Sequence, residues 1–274
     1  MTVLQLERPH GSIAYDDSGD GPVVLCIPSP NEIRSEYRHL TPLLRKAGYR
    51  VVSCDLRGRG QSSAVWPSYE TSMIANDILA LLSKLNIGPC VVLASTYSIG
   101  AAVWAATEQA SAFAGVALIG AYKPAQSGLN RVLNKLAFHP LIGRQLILRT
   151  YAKLYQQTPA DLDDYLFALL RNLGEPNRLE ALRKLLDQEQ ASWYQRLGSL
   201  KVPTLLLNST SSNINANSQA DFQAILKLLA QGRGQLIDGC AYLPHVEVPQ
   251  ACFVALQPFL AEVLPNQSGS INNS

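Results

Sequence analysis

Six short runs of aliphatic and β-branched residues, Val23–Ile27, Arg50–Cys54, Cys90–Leu93, Val116–Ile119, Pro203–Leu207 and Gln235–Ile237, recur along the chain, most of them separated by helix-length segments. A connecting helix returns the chain to the same end of a sheet, so strands spaced this way run parallel, and their unbroken apolar character demands cover on both faces. The pattern predicts an α/β fold: a mostly parallel central sheet with helices on both faces. Ser12–Tyr15 and Val23–Ile27 flank the Gly19–Gly21 turn and read as a hairpin feeding that sheet. Thr41-Pro42 offers an N-cap and N1 pair for the second part of a helix that stops at Gly48. Within Glu70–Leu85, Ile74, Ile78, Leu81, Leu82 and Leu85 recur at helical spacing.

Between Ala121 and Gly198 the strand signal gives way to helical patterns, with starts at Thr158-Pro159-Ala160-Asp161 and at Pro176. This predicts a helical cap over residues 121–198, inserted into a core formed by residues 1–120 and 199–264. A last amphipathic helix follows Pro249, and the polar tail 265–274 is expected to be disordered.

Hydrophobic residues make up 47% and charged residues 16% of the 274, which argues for a well-buried core. The formal charge of +2 comes without a basic stripe, so nucleic acid is not an expected partner. No run is long enough to span a membrane, no leader pattern opens the chain, and the five scattered cysteines read as buried free thiols, so a reducing cytoplasm is expected. His10, His39 and His139 have no ligand spacing, and neither a metal nor a cofactor is expected. The oligomeric state is open.

Asp55-Leu56-Arg57-Gly58-Arg59-Gly60-Gln61-Ser62 resembles the DxRGxGxS signature that follows the fourth strand of α/β-hydrolases. Ser35–Leu40, Ala47–Val52, Pro203–Leu206 and Pro244–Glu247 fall in the order of the capped branch of that family, so the resemblance covers roughly residues 11 to 263. It implies a Ser-His-acid triad at fixed places, and this chain departs from the pattern at each. The nucleophile belongs on a strained G-x-S-x-G elbow after the fifth strand. There the chain reads Ala94-Ser95-Thr96-Tyr97-Ser98, which puts Thr96 on the elbow, or Ser98 if the register shifts by two. The base position holds Tyr242, with His245 three residues on as either a packed residue or a relocated base. The acid position holds Ser212, while Asp221 and Asp238 read as a solvated helix start and a loop. Pro30 stands where an oxyanion-hole N–H belongs, and a shifted loop would present Asn31 instead.

The expectation is a cap-covered pocket for a hydrophobic small molecule, lined by Thr96, Tyr97, Ser98, Ser212 and Tyr242, with Pro30, Asn31, Tyr97 and Trp66 as candidate ligand contacts. For Trp66, simple packing is the competing reading. Three functions follow: a non-hydrolytic cyclisation, isomerisation or elimination; a non-catalytic binder of a ligand or partner; or a hydrolase running on Ser98 and His245.

Overall fold

The computed structural model describes residues 3–121, 151, 153–187, 191–211 and 218–264. Ser212, residues 122–150 of the expected cap and the tail 265–274 lie outside the described residues. The strands are β1 (Leu4–Arg8), β2 (Gly11–Ser18), β3 (Val23–Ile27), β4 (Arg50–Cys54), β5 (Cys90–Ser95), β6 (Phe113–Ile119), β7 (Thr204–Ser209) and β8 (Gly232–Ile237). They form one sheet in the order β1-β2-β4-β3-β5-β6-β7-β8, parallel from β4 to β8, with β1 and β2 antiparallel at one edge.

Successive side chains of a strand point to opposite faces, and here both faces are buried. Leu25, Ile27, Val52, Val92, Val116 and Leu118 pack on one side with α2 (Thr71–Lys84) and α3 (Ile99–Glu108). Val24, Cys26, Val51, Val91, Leu93, Ala117 and Ile119 pack on the other with α1 (Leu40–Lys46) and the C-terminal helix Pro249–Val263. All five cysteines are free and buried.

Two local expectations are corrected. Ser12–Tyr15 and Val23–Ile27 do not pair as a hairpin, because β4 lies between β2 and β3. The hairpin partner of β2 is β1, whose Leu-Gln-Leu-Glu-Arg sequence buries only Leu6 well and so carries little apolar signal. Helix α1 starts at Leu40, ahead of Thr41-Pro42, because the 3-10 turn Arg34–Arg38 runs into it through His39. Pro42 then occupies the first turn, whose N–H groups have no intrahelical partner, so its missing donor costs nothing.

The DxRGxGxS run acts here as a clamp. The Asp55 carboxylate accepts from the Arg34 N–H at 2.7 Å, the Gln61 N–H at 2.9 Å and the Arg34 guanidinium. Gly60 has φ +51°, and a Cβ there would stand 2.1 Å from the Asp55 carboxyl carbon, so only glycine fits. Ser62 Oγ donates to the Asp55 carbonyl and accepts from the Ala14 N–H, both at 2.9 Å, which fastens this loop to β2.

Between β6 and β7 the described elements are helical: α4 (Leu162–Leu173), α5 (Arg178–Leu186) and α6 (Ala191–Arg196). Side chains of α4 and α5 reach the loop after β4: Asn172 bonds both the N–H and the carbonyl of Gly60, and Arg178 donates to the Ser62 carbonyl. Helix α6 packs instead on α3, where Trp193 lies beside Gly100. The chain closes with α7 (Ser218–Leu228), the single turn α8 (Pro244–Glu247) and α9 (Pro249–Val263).

Candidate active site

In an open parallel sheet, the crevice for a ligand opens at the C-terminal ends of strands where the order of connections reverses. Here the reversal falls between β3, which leads to β4 on one side, and β5, which leads to β6 on the other. Two tight turns meet there. After β5, Thr96 adopts φ +45°, so the elbow residue is Thr96 and Ser98 lies on the 3-10 turn that follows. The other positive-φ non-glycine residues among those described, Asn86 and Asn177, are of a type that tolerates the conformation; β-branched threonine does not. Such a residue stores about 1–3 kcal/mol of strain, which marks a candidate functional position.

After β3, the Glu32 N–H donates to the Ser29 carbonyl at 2.9 Å, closing a turn over Ser29-Pro30-Asn31-Glu32 with proline at its favoured second place. The Ser29 N–H is taken by Glu36 Oε2 at 2.8 Å, and Pro30 has none, so Asn31 keeps this turn's remaining amide. Thr96 Oγ1 donates to Ser29 Oγ at 2.7 Å and joins the two turns.

Ser98 Oγ donates to the Pro28 carbonyl. His245 is fully buried, stacks on Tyr37 with centroids 4.6 Å apart, and shares a 2.6 Å hydrogen bond between Nε2 and Glu36 Oε1. Tyr37 in turn donates to the Ile27 carbonyl at 3.1 Å. His245 and Ser98 are thus not brought together, and among the described residues no imidazole bonds Thr96 or Ser98. His10 is exposed, His39 bonds Asp161 at 3.1 Å, and His139 lies outside the described residues.

Tyr242 lies in the loop after β8. Gly120 (φ +66°) neighbours both this loop and the elbow: a Cβ there would stand 3.4 Å from the Thr96 methyl and 3.6 Å from the Tyr242 carbonyl oxygen. One carboxylate holds this loop. Glu247 Oε1 accepts from the N–H groups of Ala241, Tyr242 and Leu243 at 2.7–3.1 Å, while Oε2 accepts from Gln156 and Gln157 at 2.7 and 3.0 Å. The Tyr242 ring meets Tyr151 and Tyr155 edge-on at 5.7 and 5.5 Å, within an apolar cluster that includes Tyr165, Leu162, Leu169, Leu243 and Val246. Ser211, next to the expected acid position, has its Oγ 3.0 Å from the Cys240 carbonyl. Asp238 is exposed and Asp221 sits in the first turn of α7.

Residues that the family pattern does not flag complete the site. Glu32 is fully buried and accepts from Tyr165 O–H at 2.6 Å; burial, with repulsion from Glu36, pushes its carboxyl up to about 8, so it is protonated at neutral pH. Arg59 is also fully buried, and burial pulls its guanidinium down to about 10, still charged at neutrality. Its Nη2 reaches the Asn31 carbonyl at 3.3 Å. Arg38 lies 4.0 Å above the Tyr165 ring and grips Asp161 through two bonds of 2.7 and 2.9 Å, so Asp161 does more than favour the start of α4. Tyr97 is half-buried beside the elbow. Trp66, expected as a ligand contact or as simple packing, is a core residue: its indole N–H donates to the Ser63 carbonyl at 2.6 Å and Arg57 covers its ring at 4.6 Å.

Among the described residues no helix is long and apolar enough to cross a membrane, and no three His, Cys, Asp or Glu side chains converge as metal ligands. The family model described as the alpha/beta hydrolase fold matches residues 22–241. The chain is 31% identical to pig bifunctional epoxide hydrolase 2 over 102 residues, 36% of this chain and only 18% of that protein's length. To the AB hydrolase superfamily protein YisY of Bacillus subtilis it is 22% identical, over 75% of this chain and 80% of the relative. Among solved structures, the thermophilic esterase of Thermogutta terrifontis superposes with a TM-score of 0.82 at 20% identity, covering 96% of this chain and all of that one. The bromoperoxidase of Bacillus anthracis gives 0.80 at 18%, covering 94% and 99%. By sheet order, elbow and family match alike, the chain belongs to the α/β-hydrolase fold family.

Proposed function

We propose that the protein binds a hydrophobic small molecule between the sheet's C-terminal edge and the inserted helices, and promotes a non-hydrolytic step on it, such as an isomerisation, cyclisation or elimination. The observation that carries this reading is the elbow. Its residue is a threonine whose hydroxyl proton points to Ser29, with no imidazole among the described residues bonded to it, and His245 is engaged with Glu36. Ester hydrolysis by this fold needs a base to take the elbow proton as the bond to carbon forms. A phenol with an ordinary pKa near 10 does not do so at neutral pH. The side chains at the elbow itself, Thr96 and Ser98, are neutral hydroxyls, which hold and polarise an oxygen atom on a bound molecule without removing a proton from water.

The hydrolase reading on Ser98 and His245 loses support, because those side chains have separate partners. Purified protein given p-nitrophenyl acetate and butyrate is expected to release nitrophenol at the buffer rate. Ester turnover that disappears in Thr96→Ala or Ser98→Ala would refute the proposal. Incubation with the apolar fraction of a cell extract, followed by mass spectrometry, is expected to show a product isomeric with its precursor or lighter by a small leaving molecule. Stoichiometric uptake without product would favour the non-catalytic binder.

A further inference from the structure

Buried polar atoms without a hydrogen-bond partner each cost about 1–3 kcal/mol, so a native fold keeps few, and a cluster of them calls for an explanation. Among the described residues, the unpartnered buried side-chain atoms are Glu32 Oε1, Arg59 Nε and Nη1, Ser95 Oγ, the Tyr151 and Tyr155 hydroxyls and His245 Nδ1. Most belong to Glu32, Arg59, Tyr151 and Tyr155, which lie at one place. Arg59 bonds the carbonyl of the Asn31–Glu32 peptide, Glu32 interacts with both Arg59 and Tyr155, and Tyr155 packs against Tyr151 with centroids 5.8 Å apart. The turn that carries Glu32 also carries Ser29, the partner of Thr96, so the cluster adjoins the elbow.

The chemistry of the cluster has one sign. The guanidinium nitrogens and both phenols are donors. Glu32 already accepts through Oε2 from Tyr165, which leaves Oε1 to carry the carboxyl proton as a further donor. Every member of the set can donate, the guanidinium is charged at neutral pH, and the walls are tyrosine and leucine, so the set matches a group that only accepts and carries one negative charge.

We propose that Glu32, Arg59, Tyr151 and Tyr155 form a subsite for the carboxylate of an apolar monocarboxylic acid, whose hydrocarbon body lies against the tyrosine cluster. This rests on the pocket reading of the preceding section and narrows its ligand class. A phosphate dianion suits the site less well, since one buried arginine with Glu36 close by leaves its second charge without a partner. The neighbours that govern Glu32 are Glu36, Arg38, Arg59, Tyr155 and Tyr165. Ionisation of Glu32 removes a donor and adds a like charge, so carboxylate affinity falls as pH rises through about 8.

The test is calorimetric titration with octanoate, octanamide and octanol at pH 6.5 and pH 9. Octanoate is expected to bind at least about ten-fold more tightly than octanamide at the lower pH, with most of that preference gone at the higher. Arg59→Gln should bring the two within about two-fold, and Arg59→Lys should keep part of the difference. Tyr155→Phe, which removes an unpartnered hydroxyl and should fold normally, is expected to weaken octanoate several-fold and octanol by no more than about two-fold. Glu32→Gln should make octanoate binding insensitive to pH over this range. Equal affinity for all three probes, or a carboxylate preference that survives Arg59→Gln, overturns the subsite and leaves the apolar pocket standing. Failure of all three to bind, octanol included, overturns the pocket reading as well.

Discussion

At the residue scale, a hydroxyl on the elbow and a carboxyl in the neighbouring turn are both held in unusual states. Thr96 holds a backbone conformation it dislikes while its Oγ1 donates to Ser29. Thr96→Val keeps the shape and removes the bond, leaving a buried hydroxyl on Ser29 without its donor, and should cost about 1–2 kcal/mol in urea denaturation. Glu32 titrates at about 8 in the folded chain, against 4.5 for an unhindered carboxyl. An acid whose folded value is raised stabilises the fold in its neutral form. That contribution is complete below pH 4.5 and is lost as pH rises towards 8. Wild-type stability should therefore decline across this window, and Glu32→Gln, neutral at every pH, should remove most of the slope. The turn after β5 was legible in the sequence as resting on Thr96 or, two residues on, Ser98, and the backbone turns to positive φ at Thr96. Glu32 and Arg59 were not, because charged residues in turns ordinarily face water, and the contacts that cover them come from far along the chain: Tyr165 of α4 bonds Glu32, and Asn172 bonds Gly60 beside Arg59.

Element by element, the strands inside the sheet were readable because burial on both faces forces continuous aliphatic runs. The edge was not. β1 pairs on one side only and buries little, and the position of β4 between β2 and β3 depends on contacts that no local pattern encodes. The loop after β8 is instead fixed by an ion. Glu247 has one oxygen for the amides of 241–243 and the other for those of 156 and 157. Glutamine keeps a single acceptor oxygen, so Glu247→Gln must release one of the two sets. We expect a loss of about 2–4 kcal/mol and faster hydrogen exchange at the amides of the released set, readable by mass spectrometry.

For the whole molecule, the consequential joint is the one between the sheet's loops and the inserted helices. Arg38 and His39 on the core side grip Asp161, whose carboxyl is pulled down to about 2 by its bonds to Arg38. A depressed acid stabilises the fold above its unfolded value of 3.8, and the benefit is lost as pH falls through about 2. The pair is partly exposed, with 40% of the Asp161 side chain in contact with solvent, so water and salt screen it. Asp161→Asn should lower stability at pH 7 by no more than about 1 kcal/mol and flatten the acid limb of a stability profile between pH 4 and pH 2.

Because a single glutamate fastens both the strand-end loop and the start of the helical roof, the two cannot part independently. Any displacement of the Tyr242 loop is passed through Glu247 to Gln156 and Gln157, so this corner moves as one piece.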